Sequence, residues 1–183
     1  NATLRLKNGI KKPRKEKICL GYMSSDFKQH ATSYLIEGLL AAHDRNQFDV
    51  IGFDFSENQM NPYQAQIQEV FDERLHLSSV SDEDAARIIA SRDVDILIDL
   101  KGYTENSRPQ ILAYKPAPII VNYLGYPGTT GLGHIDYIIG DEVLFRPSSE
   151  HDFSEYCVSL PCCYQPNTPS RAVAPPTERH HHE

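Results

Sequence analysis

The chain has 183 residues, 40% of them hydrophobic and 23% charged, with a formal net charge of −7 at neutral pH. This is an ordinary globular composition, long enough for one sizeable core and marginal for two. The acidic balance disfavours a nucleic-acid-binding surface, and no apolar run approaches the roughly 20 residues that a membrane-spanning helix needs. The four cysteines, Cys19, Cys157, Cys162 and Cys163, have no C-x-x-C spacing. A zinc site is therefore not expected, and thiols kept reduced in a cytoplasmic setting are.

The polar, basic start, 1–16, has no apolar stretch of the signal-peptide kind and reads as a linker. Ile18 to Met23 opens an apolar strand, about 17–23. A polar turn from Ser24 to His30 leads into a helix over 31–43, with Leu35, Ile36, Leu39 and Leu40 apolar. Phe48 to Phe55 reads as a second strand. Asn61 and Pro62 suit the cap and first residue of a second helix that reaches Phe71. Arg74 to Leu77 is a short third strand, and Ser81 caps a helix whose apolar face is Ala85, Ile88 and Ile89. Val94 to Leu100 has the pattern of a buried strand. A short helix, Ser107 to Tyr114, is ended by Pro116 and Pro118. Ile119 to Leu124 is a fifth strand, followed by a glycine-rich loop from Gly125 to Gly133. Ile135 to Ile139 and Tyr156 to Leu160 are further short strands. The stretch 166–183 is proline-rich, lacks apolar periodicity and ends in HHHE, so it reads as a linker or tag-like tail. One folded unit over 17–165 is left. Its alternation of strands and helices predicts an α/β fold: a doubly wound, mostly parallel sheet with helices on both faces.

In such a sheet the loops that follow the strands share one edge, where ligands bind. Three of these loops are rich in polar groups and glycine: 24–32, 101–108 and 124–131. His30, at a helix start, can hydrogen-bond a ligand, act as a base or cap the helix. Asp26 can serve as a base or hold the turn, and Thr32 can cap the helix. Gly125 and the glycines after it allow close approach of the backbone to a ligand. Their spacing is not G-x-G-x-x-G, and no G-K-[ST] is present, which argues against a dinucleotide enzyme or an NTPase. Lys101 and Arg108 can meet an acidic ligand, although surface charge is the plainer reading. His134 and Asp136 do not make a metal site alone, and His43 and His76 have no evident partner.

The segments SSDFKQHATSYL, DLKGYTENSR and PIIVNYLGYPGTTGLGHIDYIIGDE, followed by LPCCYQPNTPSR, stand in that order. They resemble the catalytic region of O-linked N-acetylglucosamine transferases of bacterial type, over about residues 17–171. The resemblance implies a GT-B architecture, of which this chain is the N-terminal Rossmann-like half. It implies transfer of N-acetylglucosamine from UDP-GlcNAc to Ser or Thr of a protein acceptor, with inversion and with no metal or other cofactor. It also implies two partners within a longer parent chain, a second Rossmann-like domain and tetratricopeptide repeats. Carried over by position, His30 and Thr32 match the family's H-P-T motif at the donor sugar and diphosphate, with Ala31 in place of the proline. Asp26 matches a cleft carboxylate linked to proton transfer. Leu124 and Gly125 match the backbone that lines the sugar pocket. The family's uridine and diphosphate contacts come mostly from the second domain, and its upstream histidine has no match in 1–16. The fragment is therefore expected to fold but to be inactive alone. Two alternatives remain: a non-catalytic protein-interaction module, or a related transferase that uses another nucleotide sugar.

Overall fold

The computed structural model describes residues 15–57, 67, 69–146 and 150–168. They include seven strands: β1 (Ile18–Ser24), β2 (Phe48–Asp54), β3 (Glu73–His76), β4 (Ile96–Asp99), β5 (Ile119–Tyr123), β6 (Tyr137–Asp141) and β7 (Tyr156–Leu160). All pair in parallel, in the order β3-β2-β1-β4-β5-β6-β7. The helices are α1 (Ala31–Ala41), α2 (Asp82–Ser91) and α3 (Pro109–Ala113). The helix expected from Asn61 to Phe71 lies mostly outside the described residues, as do the stretches read as linker and tail.

The fold follows from period-two alternation along strands that are covered on both faces. Leu20 and Tyr22 of β1 pack into one core with Ile36 and Leu40 of α1. Cys19 and Met23 of the same strand point the other way, into a core with Ala85, Ala86 and Ile89 of α2 and Ile111 and Leu112 of α3. Burial pushes the Cys19 thiol up to about 11, so it is an inert core residue. Several element bounds differ from the sequence expectation, two of them for a visible reason. β4 is shorter than the apolar run that contains it, because Asp99 pulls the chain into a turn at once. Its carboxylate accepts the Lys101 and Gly102 N–H groups, each at 3.0 Å. α1 ends at Ala41, where the Ala42 N–H closes onto Gly38 and Leu39.

The N-terminal edge of the sheet is tied by a repeated device. The residue just before each of β3, β4 and β6 is an aspartate, and each binds a backbone N–H of the neighbouring strand. Asp72 takes Val50 N–H at 2.7 Å, Asp95 takes Cys19 N–H at 2.8 Å and Asp136 takes Ile120 N–H at 2.7 Å. Asp136 also binds the Lys115 ammonium, so its role is strand pairing and not a pairing with His134. The two histidines without an evident partner in the sequence have one in the fold. His43 meets the Tyr22 hydroxyl at 2.8 Å, and His76 meets Asp54 at 3.2 Å. Among the described residues, no helix is long and apolar enough to cross a membrane.

Asp136→Ala removes the acceptor for both Ile120 N–H and the Lys115 ammonium. It is expected to cost about 1–3 kcal/mol of stability, read as a lower urea midpoint, while the opposite edge keeps its geometry.

Candidate functional site

The chain leaves β1 toward β2 and leaves β4 toward β5, so the loops after these adjacent strands diverge. This is the switch point at which ligands bind in open parallel sheets. A cleft of about 260 Å³ opens there, and its walls include Asp26, His30, Thr32, Lys101, Glu105 and Gly125. Three loops that are remote in sequence thus meet at one place.

His30 is the N-cap of α1: its Nδ1 accepts the Thr32 N–H at 3.2 Å. The cap is therefore the histidine and not Thr32, whose position at N2 makes it a wall of the cleft. Ala31 takes N1, where a proline is best tolerated, so alanine leaves the helix start in place. With the Nδ1 lone pair engaged by a backbone donor, a neutral imidazole carries its proton on Nε2. In that tautomer His30 offers a ligand a donor and keeps no lone pair for base catalysis.

Asp26 is buried and pairs with Lys101, whose Nζ lies 2.5 Å from Oδ2. Lys101 is buried as well, so it is not the surface charge that its type alone suggests. His30 Nδ1 lies 3.5 Å from the same carboxylate oxygen. The turn around Asp26 is braced: its N–H bonds to Ser24 Oγ at 3.0 Å, and its carbonyl accepts the Ser33 hydroxyl. A buried ion pair is stable only while both partners are present, since either alone is an uncompensated charge.

The third loop approaches the cleft through its backbone. Leu124 has φ of 77°, and Gly125 N–H reaches the Tyr123 carbonyl at 3.1 Å, forming a tight three-residue turn. Such a φ is strained for leucine, and strain of this kind clusters at ligand sites. The Leu124 side chain is buried in the core, so only its backbone belongs to the site. A Cβ at Gly125 would lie 2.1 Å from the Leu100 carbonyl oxygen, so only glycine allows the two loops to come this close. Asn122 holds the loop, with Nδ2 donating to the Tyr126 and Gly128 carbonyls at 3.2 Å each. Tyr103 and Tyr126 meet edge to face with centroids 5.7 Å apart, joining the loop after β4 to the loop after β5.

Of the predicted site residues, Asp26, His30, Thr32 and Gly125 line one cleft, and Leu124 shapes it from behind. Arg108 does not line it. Its guanidinium is committed to Asp82 and to the Leu77 and Val80 carbonyls, and it lies 4.8 Å from the Phe55 ring centroid. Sequence reasoning did not single out Lys28, Thr104, Glu105 and Asn106, which also line the cleft. The available signal was their membership of the two polar loops. Among the described residues, no group of three or more His, Cys, Asp or Glu side chains is arranged to hold a metal ion.

Lys101→Ala strands the Asp26 carboxylate and is expected to cost about 3–5 kcal/mol, whereas Lys101→Met combined with Asp26→Leu restores most of that loss. Chemical denaturation of both variants checks this. Asp99 supplies a pH dependence. Burial pushes its carboxyl up to about 6, against the pull of the two backbone N–H groups and the Lys101 charge. A raised carboxyl favours the protonated folded state, so its contribution to stability is full below the ordinary aspartate value of about 4. It is lost as the pH rises through about 6. The stability of the native protein minus that of Asp99→Asn should fall across this window, and a flat difference would refute the assignment.

Comparison with known proteins places the chain. The profile of "Glycosyl transferase family 41" matches residues 3–166. The chain is 38% identical over 149 residues to a probable UDP-N-acetylglucosamine–peptide N-acetylglucosaminyltransferase SEC of Arabidopsis thaliana, covering 81% of this chain and 15% of that protein. It is 35% identical over 147 residues to a UDP-N-acetylglucosamine–peptide N-acetylglucosaminyltransferase of Caenorhabditis elegans, covering 80% and 13%. A solved O-GlcNAc transferase mutant of Thermobaculum terrenum superposes with a TM-score of 0.82 at 25% identity, covering 89% of this chain and 32% of that one. The chain thus spans less than a fifth of the length of these curated relatives. The match runs through all three loops that build the cleft, and the chain belongs to glycosyl transferase family 41.

Proposed function

We propose that this chain forms one side of the donor cleft of a protein O-GlcNAc transferase. The parent enzyme moves N-acetylglucosamine from UDP-GlcNAc to Ser or Thr hydroxyls of protein acceptors, with inversion and without a metal or other cofactor. The observation that carries this reading is the convergence of Asp26, His30, Thr32 and Gly125 on a single cleft at the switch point of a family 41 domain. The bacterial-type resemblance, the GT-B partner domain, the tetratricopeptide repeats and a cytoplasmic location belong to the same proposal.

In the reaction, the acceptor oxygen bonds to the sugar's anomeric carbon while the bond from that carbon to the diphosphate oxygen breaks. The acceptor proton leaves toward a base. Developing charge on the diphosphate needs donors aimed at it, and the His30 Nε2–H and the N-terminus of α1 suit that role. Asp26, fixed by Lys101, is the carboxylate next to the acceptor's path and takes part in moving its proton. The Gly125 backbone and Thr32 form the sugar wall. The opposite wall and the uridine site belong to the second domain, so the isolated chain is expected to show no transfer.

The test uses His30→Asn in the intact parent protein. Asparagine is a good N-cap and preserves the helix start, while the imidazole is lost. Sugar transfer with UDP-GlcNAc is expected to drop by roughly 10²-fold in a variant that unfolds at the native temperature. Unchanged transfer would reduce His30 to a helix cap and overturn the site assignment. No transfer by the native parent, with UDP-glucose and GDP-fucose also tried, would overturn the transferase reading itself.

A further inference from the structure

Gly125, which lines the cleft, stands near the start of a connection between β5 and β6 that holds neither helix nor strand. Leu124 beside it has φ of 77°, a conformation that persists only where the surroundings over-determine it. Two side chains outside the cleft supply that restraint.

The first is Asn122, fully buried in β5. Its Nδ2 donates to the Tyr126 and Gly128 carbonyls at 3.2 Å each, so the amide bridges the chain on the far side of Leu124 and Gly125. Its Oδ1 finds no partner among the described residues. An apolar side chain would fill this place without that cost, so the amide is explained by what Nδ2 holds. Asn122 is also the register neighbour of Asp99. The two act alike with opposite polarity. Asp99 accepts N–H groups of the turn after β4, and Asn122 donates to carbonyls of the loop after β5. The two segments are tightly apposed, since a Cβ at Gly102 would lie 2.5 Å from Tyr126 Cβ.

The second is Glu155, buried just before β7. Its Oε1 accepts the Thr130 N–H at 2.8 Å and the Thr130 hydroxyl, and its Oε2 accepts the Thr129 hydroxyl at 2.8 Å. Thr129 Oγ1 in turn accepts the Gly131 N–H at 3.2 Å and the Ser154 N–H at 3.1 Å. The Tyr103 hydroxyl donates to the Thr130 carbonyl at 2.5 Å, which draws the loop after β4 into the same network. Burial opposes ionisation of Glu155, but its bonds to Thr130 and Thr129 outweigh it and hold the carboxyl below its ordinary range.

We infer that Asn122 and Glu155 are positioning residues for the donor sugar: they fix the 124–130 segment from its two ends and so hold the Gly125 backbone in place as the sugar wall. The inference rests on the transferase reading above. Neither side chain lines the cleft, so each acts through the loop. A loosened loop must be reordered when the sugar binds, and that cost lowers affinity.

The experiment titrates the intact parent protein with UDP-GlcNAc and, separately, with UDP. It compares the native protein with Asn122→Ala, Glu155→Gln and Asp72→Ala. Glutamine keeps the shape of Glu155 but turns one of its two acceptor oxygens into a donor. Asn122→Ala should weaken UDP-GlcNAc by about ten-fold and Glu155→Gln by about three-fold, while UDP moves less than about two-fold. The reason is that the nucleotide is read by the second domain and only the sugar meets this wall. Asp72→Ala removes a carboxylate bond at the opposite edge and should change neither affinity. Unchanged UDP-GlcNAc affinity in folded Asn122→Ala overturns the inference and leaves the transferase reading standing. An equal loss for UDP, or the same loss in Asp72→Ala, makes the two residues merely structural and also overturns it. If Asn122→Ala fails to fold, Glu155→Gln decides by the same criteria. A native parent that neither binds UDP-GlcNAc nor transfers its sugar would overturn the transferase reading, and the positioning role with it.

Discussion

The site depends on one buried ion pair, Asp26 with Lys101, which spans the point where the strand order reverses. The two residues stand 75 positions apart and arrive on loops that leave β1 and β4 in opposite directions. Nothing in a parallel sheet requires diverging loops to touch. A shared desolvated charge does, because neither partner is tolerable alone in that environment. The pair closes the floor of the cleft and orients the carboxylate beside His30. It also holds the start of the loop after β4, where Asp99 in turn accepts the Lys101 and Gly102 N–H groups.

The two edges of the sheet divide the work. At the N-terminal edge, Asp72, Asp95 and Asp136 spend their carboxylates on neighbouring backbone N–H groups and lock strand to strand. At the C-terminal edge the polar groups are more numerous, and several lack partners or are strained. Among the described residues the buried Ser25 and Ser56 hydroxyls find no partner, and Leu124 holds a positive φ. Departures from local consistency are expected where a protein binds something, and stability is made up elsewhere.

Much of the fold was legible because its signal is local. Buried strands such as ICLGYM announce themselves by continuous apolar character, α1 by its periodicity and α2 by periodicity together with its Ser81 cap. The polar loops stood out once the alternation of elements placed them at strand ends. The sequence left the cap of α1 open between His30 and Thr32, because threonine is a favoured N-cap type and histidine is not, and the structure assigns it to His30. Lys101 and Arg108 were equally ambiguous. One became a buried partner of Asp26 and the other a structural clamp on Asp82 and Phe55, and residue type does not distinguish these fates.

The sequence by itself determined the order of strands and helices, the burial of the sheet on both faces and the identity of the loops at its ligand-binding edge. These follow from periodicity and turn chemistry, which act over a few residues. Only the tertiary structure decided which side chains share a cleft, which nitrogen of His30 faces the backbone and where hydroxyls are left unpaired. Those outcomes depend on groups brought together across long stretches of chain, and the energy of a buried charge or hydroxyl is set by its neighbours in space.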